Sequence, residues 1–318
     1  MELNFASEYI HYGTIALVIG IPSISVGIGE GIVGFAALKA INIQPKAHHD
    51  IINCAVIGTA LIETVAIFGL CLSLLLLFVT TDYQTIYGRY AELGIAAALA
   101  ISGFCIGIAS AMPAYRTCMA IARQPFFAPK IRNFMLLMQT IIQTPMIFCF
   151  VVAMLIKLKT GSVTTLNEAL ACIAAGLCIG LGSIGPAIGL AMYAAQACQG
   201  LGINRKAYPT IFAFTVISQA IIETPIIFAL VIALMIMFFN ATAPLYGIAA
   251  VAAAICMACG TMGPGIASGR TSASACNEIA LHPERYTILS RTSMLAQGII
   301  DTCAIYAFLL ALLILVSP

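Results

Sequence analysis

Apolar residues run almost unbroken through eight stretches, roughly 10–42, 50–80, 92–122, 131–157, 168–202, 210–240, 245–280 and 287–316. Each exceeds the about 20 residues that a helix needs to cross a bilayer. The gaps between them alternate in kind. Short polar loops at Gln44-Pro45-Lys46-Ala47-His48-His49, Arg123-Gln124-Pro125, Asn204-Arg205-Lys206 and His282-Pro283-Glu284-Arg285 join the stretches into pairs, and linkers at Thr81 to Gly88, Thr160 to Asn167 and Asn240 to Pro244 separate one pair from the next. The pattern predicts an all-α membrane protein with eight transmembrane helices as four tandem helical hairpins, over 1–85, 86–163, 164–243 and 244–318.

Polar residues inside the apolar stretches recur at a fixed interval. Glu63, Gln143, Glu223 and Asp301 stand near the middle of the second helix of their pairs, spaced by 80, 80 and 78 residues, and Thr64, Thr144, Thr224 and Thr302 follow them. Such a period marks one structural unit repeated four times. A carboxylate at the bilayer centre costs roughly 2.5 to 3.5 kcal/mol on insertion scales, so it is a functional group by default. The alternative, a carboxyl that merely packs against a neighbouring helix, does not require acid at one depth in three of four copies.

The first helix of each pair carries small residues at every second position: Ser23 to Gly31, Gly103 to Ala111, Ser183 to Ala191 and Thr261 to Gly269. At about 100° per residue these fall into two stripes on nearly opposite faces. One such stripe admits one close neighbour; two admit a like neighbour on each side, which suits an inner layer of a closed, two-layer ring. The second helices, with larger residues such as Leu74 to Phe78, suit an outer, lipid-facing layer. The Gly-x-Gly spacing is no nucleotide fingerprint, because no strand precedes it.

Composition fits the membrane reading: 62% of the 318 residues are apolar and 8% charged, with a mean hydropathy of +1.06, where soluble domains carry about 25% charged residues. A net charge of +2 says nothing about nucleic acid, and no basic patch or stacking platform points to such a partner. The first residues lack the basic region of a secretory signal, so the first apolar stretch is expected to be retained. Eleven of the fourteen Lys and Arg lie on or near the loops within pairs, which predicts cytoplasmic loops and both termini outside. The twelve Cys fall mostly within apolar stretches and read as small hydrophobes, the Cys256/Cys259 pair included. His48 and His49 read as solvated loop residues, and the sequence assigns His11 no role.

A Gly-x-Gly-x-Gly first helix, an Arg-Gln-Pro loop and a mid-membrane acid nineteen residues after that Gln resemble the c subunit of F-type ATP synthases. Gln44 to Glu63, Gln124 to Gln143, Asn204 to Glu223 and His282 to Asp301 all keep this spacing. The resemblance covers essentially the whole chain and implies four such subunits fused in tandem. It implies a non-catalytic rotor that assembles as a homo-oligomeric ring, faces a stator a subunit supplying an Arg, and meets the central stalk, gamma and epsilon, through Gln44, Pro45, Arg123, Gln124, Pro125, Arg205, His282 and Pro283. It places the chain in a bacterial plasma membrane, with an organellar inner membrane as the alternative.

On that resemblance Glu63, Glu223 and Asp301 carry the ions, neutral or ion-loaded while facing lipid, and no cofactor is required. Gln143 departs from the pattern, since an amide exchanges no proton near neutral pH. Three ions per chain in place of four would give three quarters of the electrical work per turn. Sodium-binding relatives use an oxygen on the first helix thirty-three residues before the acid, which here reads Glu30, Ser110, Leu190 and Ser268. Hard cations require several oxygens, so Leu190 favours protons, with sodium as the alternative. Glu30, Thr64, Thr224 and Thr302 are expected to support the sites, though a helical Thr also bonds back to the carbonyl four residues earlier. Pro145 and Pro225 are expected to kink the second helices. Rival readings are a vacuolar-type rotor, a structural or pore-forming oligomer, and a secondary transporter; broken or inverted repeats around one site would mark the last.

Overall fold

The computed structural model describes residues 2–79, 81, 83–239, 243 and 245–317; of the last linker, Asn240, Ala241, Thr242 and Pro244 lie outside the described residues. The described residues form nine α-helices and no strand: α1 (Glu2–Ile43), α2 (His48–Phe78), α3 (Tyr87–Arg123), α4 (Ala128–Thr160), α5 (Leu166–Gly182), α6 (Ile184–Ile203), α7 (Tyr208–Phe238), α8 (Tyr246–Leu281) and α9 (Tyr286–Val316). They make eight spans long and apolar enough to cross a membrane. The chain is a multi-pass membrane protein built of four tandem hairpins.

The stretch 168–202, which reads as one helix, is two, α5 and α6 meeting at Ser183. Pro186 has no N–H for the carbonyl of Gly182, four residues back, and its ring crowds that carbonyl. Pro22, Pro113, Pro145, Pro225 and Pro264 sit inside helices that run unbroken.

Each hairpin turns in the same way. Gln44, Gln124, Asn204 and His282 leave the helical region at φ between −129° and −141°, and one 3-10 turn follows, Pro45–Ala47, Pro125–Phe127, Arg205–Ala207 and Pro283–Arg285. A residue ahead of proline is pushed out of the helical region, so the sequence stops the first helix in three units. The third unit lacks that proline. There the Asn204 side chain accepts from the Lys206 N–H at 3.0 Å and donates to the Ala280 carbonyl of α8 at 3.0 Å.

The hairpins stand side by side in two rows. Helices α1, α3, the α5–α6 pair and α8 pack successively in the first row, and α2, α4, α7 and α9 form the second row against it. Glycine permits the contacts within the first row: a Cβ on Gly176 would overlap the Gly94 backbone, and one on Gly189 that of Gly265. The two ends of this row are open, since nothing lies within 4 Å of a Cβ built on Gly27 or Gly31 of α1, or on Gly263 of α8.

Bonds between hairpins join residues about one period apart. Ser25 donates to the Gly103 carbonyl at 2.7 Å, Gln139 to the Gly58 carbonyl at 3.0 Å and Gln196 to Asn277 at 2.7 Å. At the end opposite the loops, His11 of α1, without a role in the sequence reading, donates to the fully buried Glu92 of α3 at 2.7 Å. Tyr83 donates to the same carboxylate, and burial together with that bond pushes its phenol well above the usual range.

Candidate functional site

The four repeat positions lie on α2, α4, α7 and α9, each set beside the first helix of its own hairpin and, for all but the first, beside the preceding hairpin. Gln143 shows the complete arrangement. Its amide donates to the Leu61 carbonyl of α2 and, at 3.5 Å, to Ser110 Oγ of α3; its oxygen accepts from Thr64 Oγ1 of α2 at 2.7 Å. A protonated carboxyl, with one donor and one acceptor, has the hydrogen-bonding capacity to meet Leu61 and Thr64 in the same way. The amide therefore holds permanently the pattern that an acid holds only while protonated.

Glu223 of α7 is half-buried, and Thr144 of α4 stands beside its carboxyl. Its Oε1 is shielded from solvent without a hydrogen-bond partner. The first-helix position facing it is Leu190, 0% exposed, so no oxygen is supplied from α6. Asp301 of α9 is buried and accepts from Ser268 Oγ of α8 at 3.4 Å. Glu63 of α2 is exposed, because hairpin 1 has no preceding hairpin within the chain; its charged neighbour is Glu30 of α1.

Thr64, Thr224 and Thr302 each bond a carbonyl of their own helix, the second of the two arrangements expected of them. Thr64 turns to Gln143 of the next hairpin as well as to the Leu61 carbonyl at 2.7 Å, not to Glu63, the acid it follows. Thr224 bonds the Ala220 carbonyl at 3.1 Å and Thr302 the Ile299 carbonyl at 2.7 Å, each within its own helix. The reason is rotational: one residue moves a side chain about 100° round the helix, so acid and threonine cannot face the same neighbour.

Three further residues escape the sequence reading. Gln139, Gln219 and Gln297 stand four residues before Gln143, Glu223 and Asp301, and are at most 1% exposed. Gln139 bridges the Gly58 and Ser110 carbonyls at 3.0 and 2.9 Å, tying α4 to α2 and α3. All three leave Oε1 buried and unpartnered. Their spacing of one helical turn was the available signal. In hairpin 1 the place is taken by Thr59.

The loop residues Pro45, Arg123, Arg205 and His282 are exposed, while Gln44, Gln124, Pro125 and Pro283 are half-buried. Beside them Phe126, not singled out by sequence, is 99% exposed. Among the described residues no group of three His, Cys, Asp or Glu side chains is placed to hold a metal ion.

The profile of the family described as the C subunit of ATP synthase matches residues 14–76, 93–156, 173–236 and 251–314. The chain is similar to the ATP synthase c subunit of Dehalococcoides mccartyi, 43% identical over 63 residues that cover 20% of this chain and 83% of the relative. It is likewise similar to the chloroplastic ATP synthase c subunit of Emiliania huxleyi, 47% identical over 68 residues, 21% of this chain and 83% of the relative. For the chloroplastic ATP synthase c subunit of Ostreococcus tauri the identity is 43% over 68 residues, 21% of this chain and 83% of the relative.

Proposed function

The chain belongs to the family of ATP synthase C subunits, four times over, and we propose that it is a rotor component of an F-type ATP synthase, with protons carried on Glu63, Glu223 and Asp301. The observation that carries this reading is one repeat position per hairpin, set at a helix–helix boundary, acidic in three hairpins and filled at the second by an amide bonded to Leu61 and Thr64 of the preceding hairpin. The units 1–85, 86–163, 164–243 and 244–318 each act as one rotor hairpin, and Gln143 passes the stator without loading.

Copies of the chain join end to end, the open small-residue stripe of α8 meeting that of α1, and close a ring. That junction gives Glu63 the preceding hairpin it lacks. The stator a subunit presents its Arg to the second row, and gamma and epsilon of the central stalk meet the exposed loops, which face the cytoplasm of a bacterium, both termini lying outside. Leu190 supports protons over sodium, because a sodium ion at Glu223 would lack an oxygen from the first helix.

Mass spectrometry after carbodiimide treatment of the detergent-purified protein tests the assignment, across pH and with or without sodium. Modification confined to Glu63, Glu223 and Asp301, and governed by pH alone, is expected. Sodium protection of Glu63 or Glu223 would make the carried ion sodium. Absence of mid-membrane modification would leave a structural oligomer.

A further inference from the structure

Two cavities lie on the same face of the first row. The first, about 210 Å³, opens at the loop end between α1, α3 and α6 and is lined by Lys39, Tyr115, Arg116, Met119, Arg123 and Gln199. The second, about 300 Å³, is an apolar groove between α3 and α6 lined by Phe104, Ile108, Met112, Ile188 and Met192 among others. Along α3 they are continuous, since Phe104, Ile108, Met112, Arg116, Met119 and Arg123 follow one another at three- or four-residue steps on one face. This face points away from the second row: Ser102 and Ser110 contact Met146 and Gln143 of α4, and Phe104 and Met112, two residues further on, lie about 200° round the helix from them.

The loop-end cavity is cationic and uncompensated. No Asp or Glu occurs between residues 31 and 49, 93 and 167, or 169 and 222. The ion pairs among the described residues both involve His, none of them Lys or Arg. Arg116 Nε is shielded from solvent without a partner, a state that an anion would relieve. Depth agrees. Ser110 is level with Gln143 at mid-helix, so Arg116 lies about 9 Å and Arg123 about 20 Å towards the loops, on either side of the hydrocarbon boundary at about 15 Å.

We propose that this face binds an anionic phospholipid of the loop-side leaflet, its phosphate held by Lys39, Arg116 and Arg123 and an acyl chain lying in the groove between α3 and α6. Charge selects the headgroup, and basic pockets between spanning helices on the cytoplasmic side are suited to it. The groove selects a lipid over a free phosphate. The assignment requires only that the chain spans a membrane, and stands apart from the rotor reading.

The test is native mass spectrometry of the delipidated full-length chain in neutral detergent, titrated with phosphatidylglycerol, phosphatidylcholine or inorganic phosphate. One phosphatidylglycerol per chain is expected in preference to phosphatidylcholine. Lys39→Gln and Arg116→Gln, on different helices, should each weaken it about fivefold. Filling the groove with Ile188→Trp should weaken phosphatidylglycerol and leave inorganic phosphate unaffected. Equal retention of phosphatidylcholine, or retention unchanged in all three variants, overturns the proposal. Binding of inorganic phosphate with no gain from the acyl chains identifies a bare anion site and overturns the lipid assignment.

Discussion

Glu223→Gln is expected to abolish proton-driven ATP synthesis in the reconstituted enzyme, by more than about a hundredfold, while the ring still assembles. The substitution preserves shape and hydrogen-bonding capacity, as the native amide at 143 demonstrates on the neighbouring hairpin. On the rotor reading, what it removes is the charge that would meet the stator cation. Two successive neutral hairpins would then pass the stator, and a buried charge deprived of its partner costs about 3 kcal/mol or more, a factor of roughly 150 in rate. Gln143→Glu should act in the opposite direction. It adds a fourth carrier, so the ions moved per turn rise by a third, each contributing about 2.3 kcal/mol per 100 mV. Synthesis in proteoliposomes under a fixed proton gradient measures the first effect, and the threshold gradient for synthesis the second. Wild-type synthesis by the Glu223 variant would remove that residue from the carriers.

Gly176→Leu is expected to destabilise the chain by about 3 kcal/mol, the upper end of overpacking. A side chain there meets the Gly94 backbone of α3, while a Cβ on Gly94 would in turn meet the Cys172 carbonyl of α5. Backbone in this contact has no rotamer in which to retreat. Gly27→Leu is the matched control, since open space surrounds that position within one chain. It should leave the melting temperature of the isolated chain unchanged and eliminate association between copies. Thermal denaturation in detergent and size analysis separate the two effects. Equal loss of stability in both variants would show that the open stripe of α1 is packed within the chain.

Spans, hairpins and row order were legible because a membrane demands long apolar runs and a repeat multiplies each signal fourfold. The break at Ser183 was not, because five other prolines lie in helices that stay whole. The acid positions were legible as charges out of place, and their first-helix neighbours Ser110 and Ser268 by the offset of thirty-three residues, whereas the bonds between hairpins were not. Thr64 with Gln143, and His11 with Glu92, lie 79 and 81 residues apart, and what brings them together is the packing of one hairpin on the next. The period itself held that information: in a row of repeats, residues one period apart become neighbours. Gln139, Gln219 and Gln297 carry no charge that stands out in an apolar helix, although all three are buried.

Covalent fusion also changes how the assembly can evolve. Where identical single hairpins form a ring, one codon sets every position, so a lesion strikes the whole circle at once and is eliminated with it. Here a codon governs one position in four, and each hairpin is exposed to selection almost as a separate gene. Replacement of the acid at 143 is the kind of change that such partial dosage allows to persist, and the unlike sequences of the four turns, Gln44-Pro45, Gln124-Pro125, Asn204-Arg205 and His282-Pro283, are the drift expected of duplicates that no longer have to remain the same.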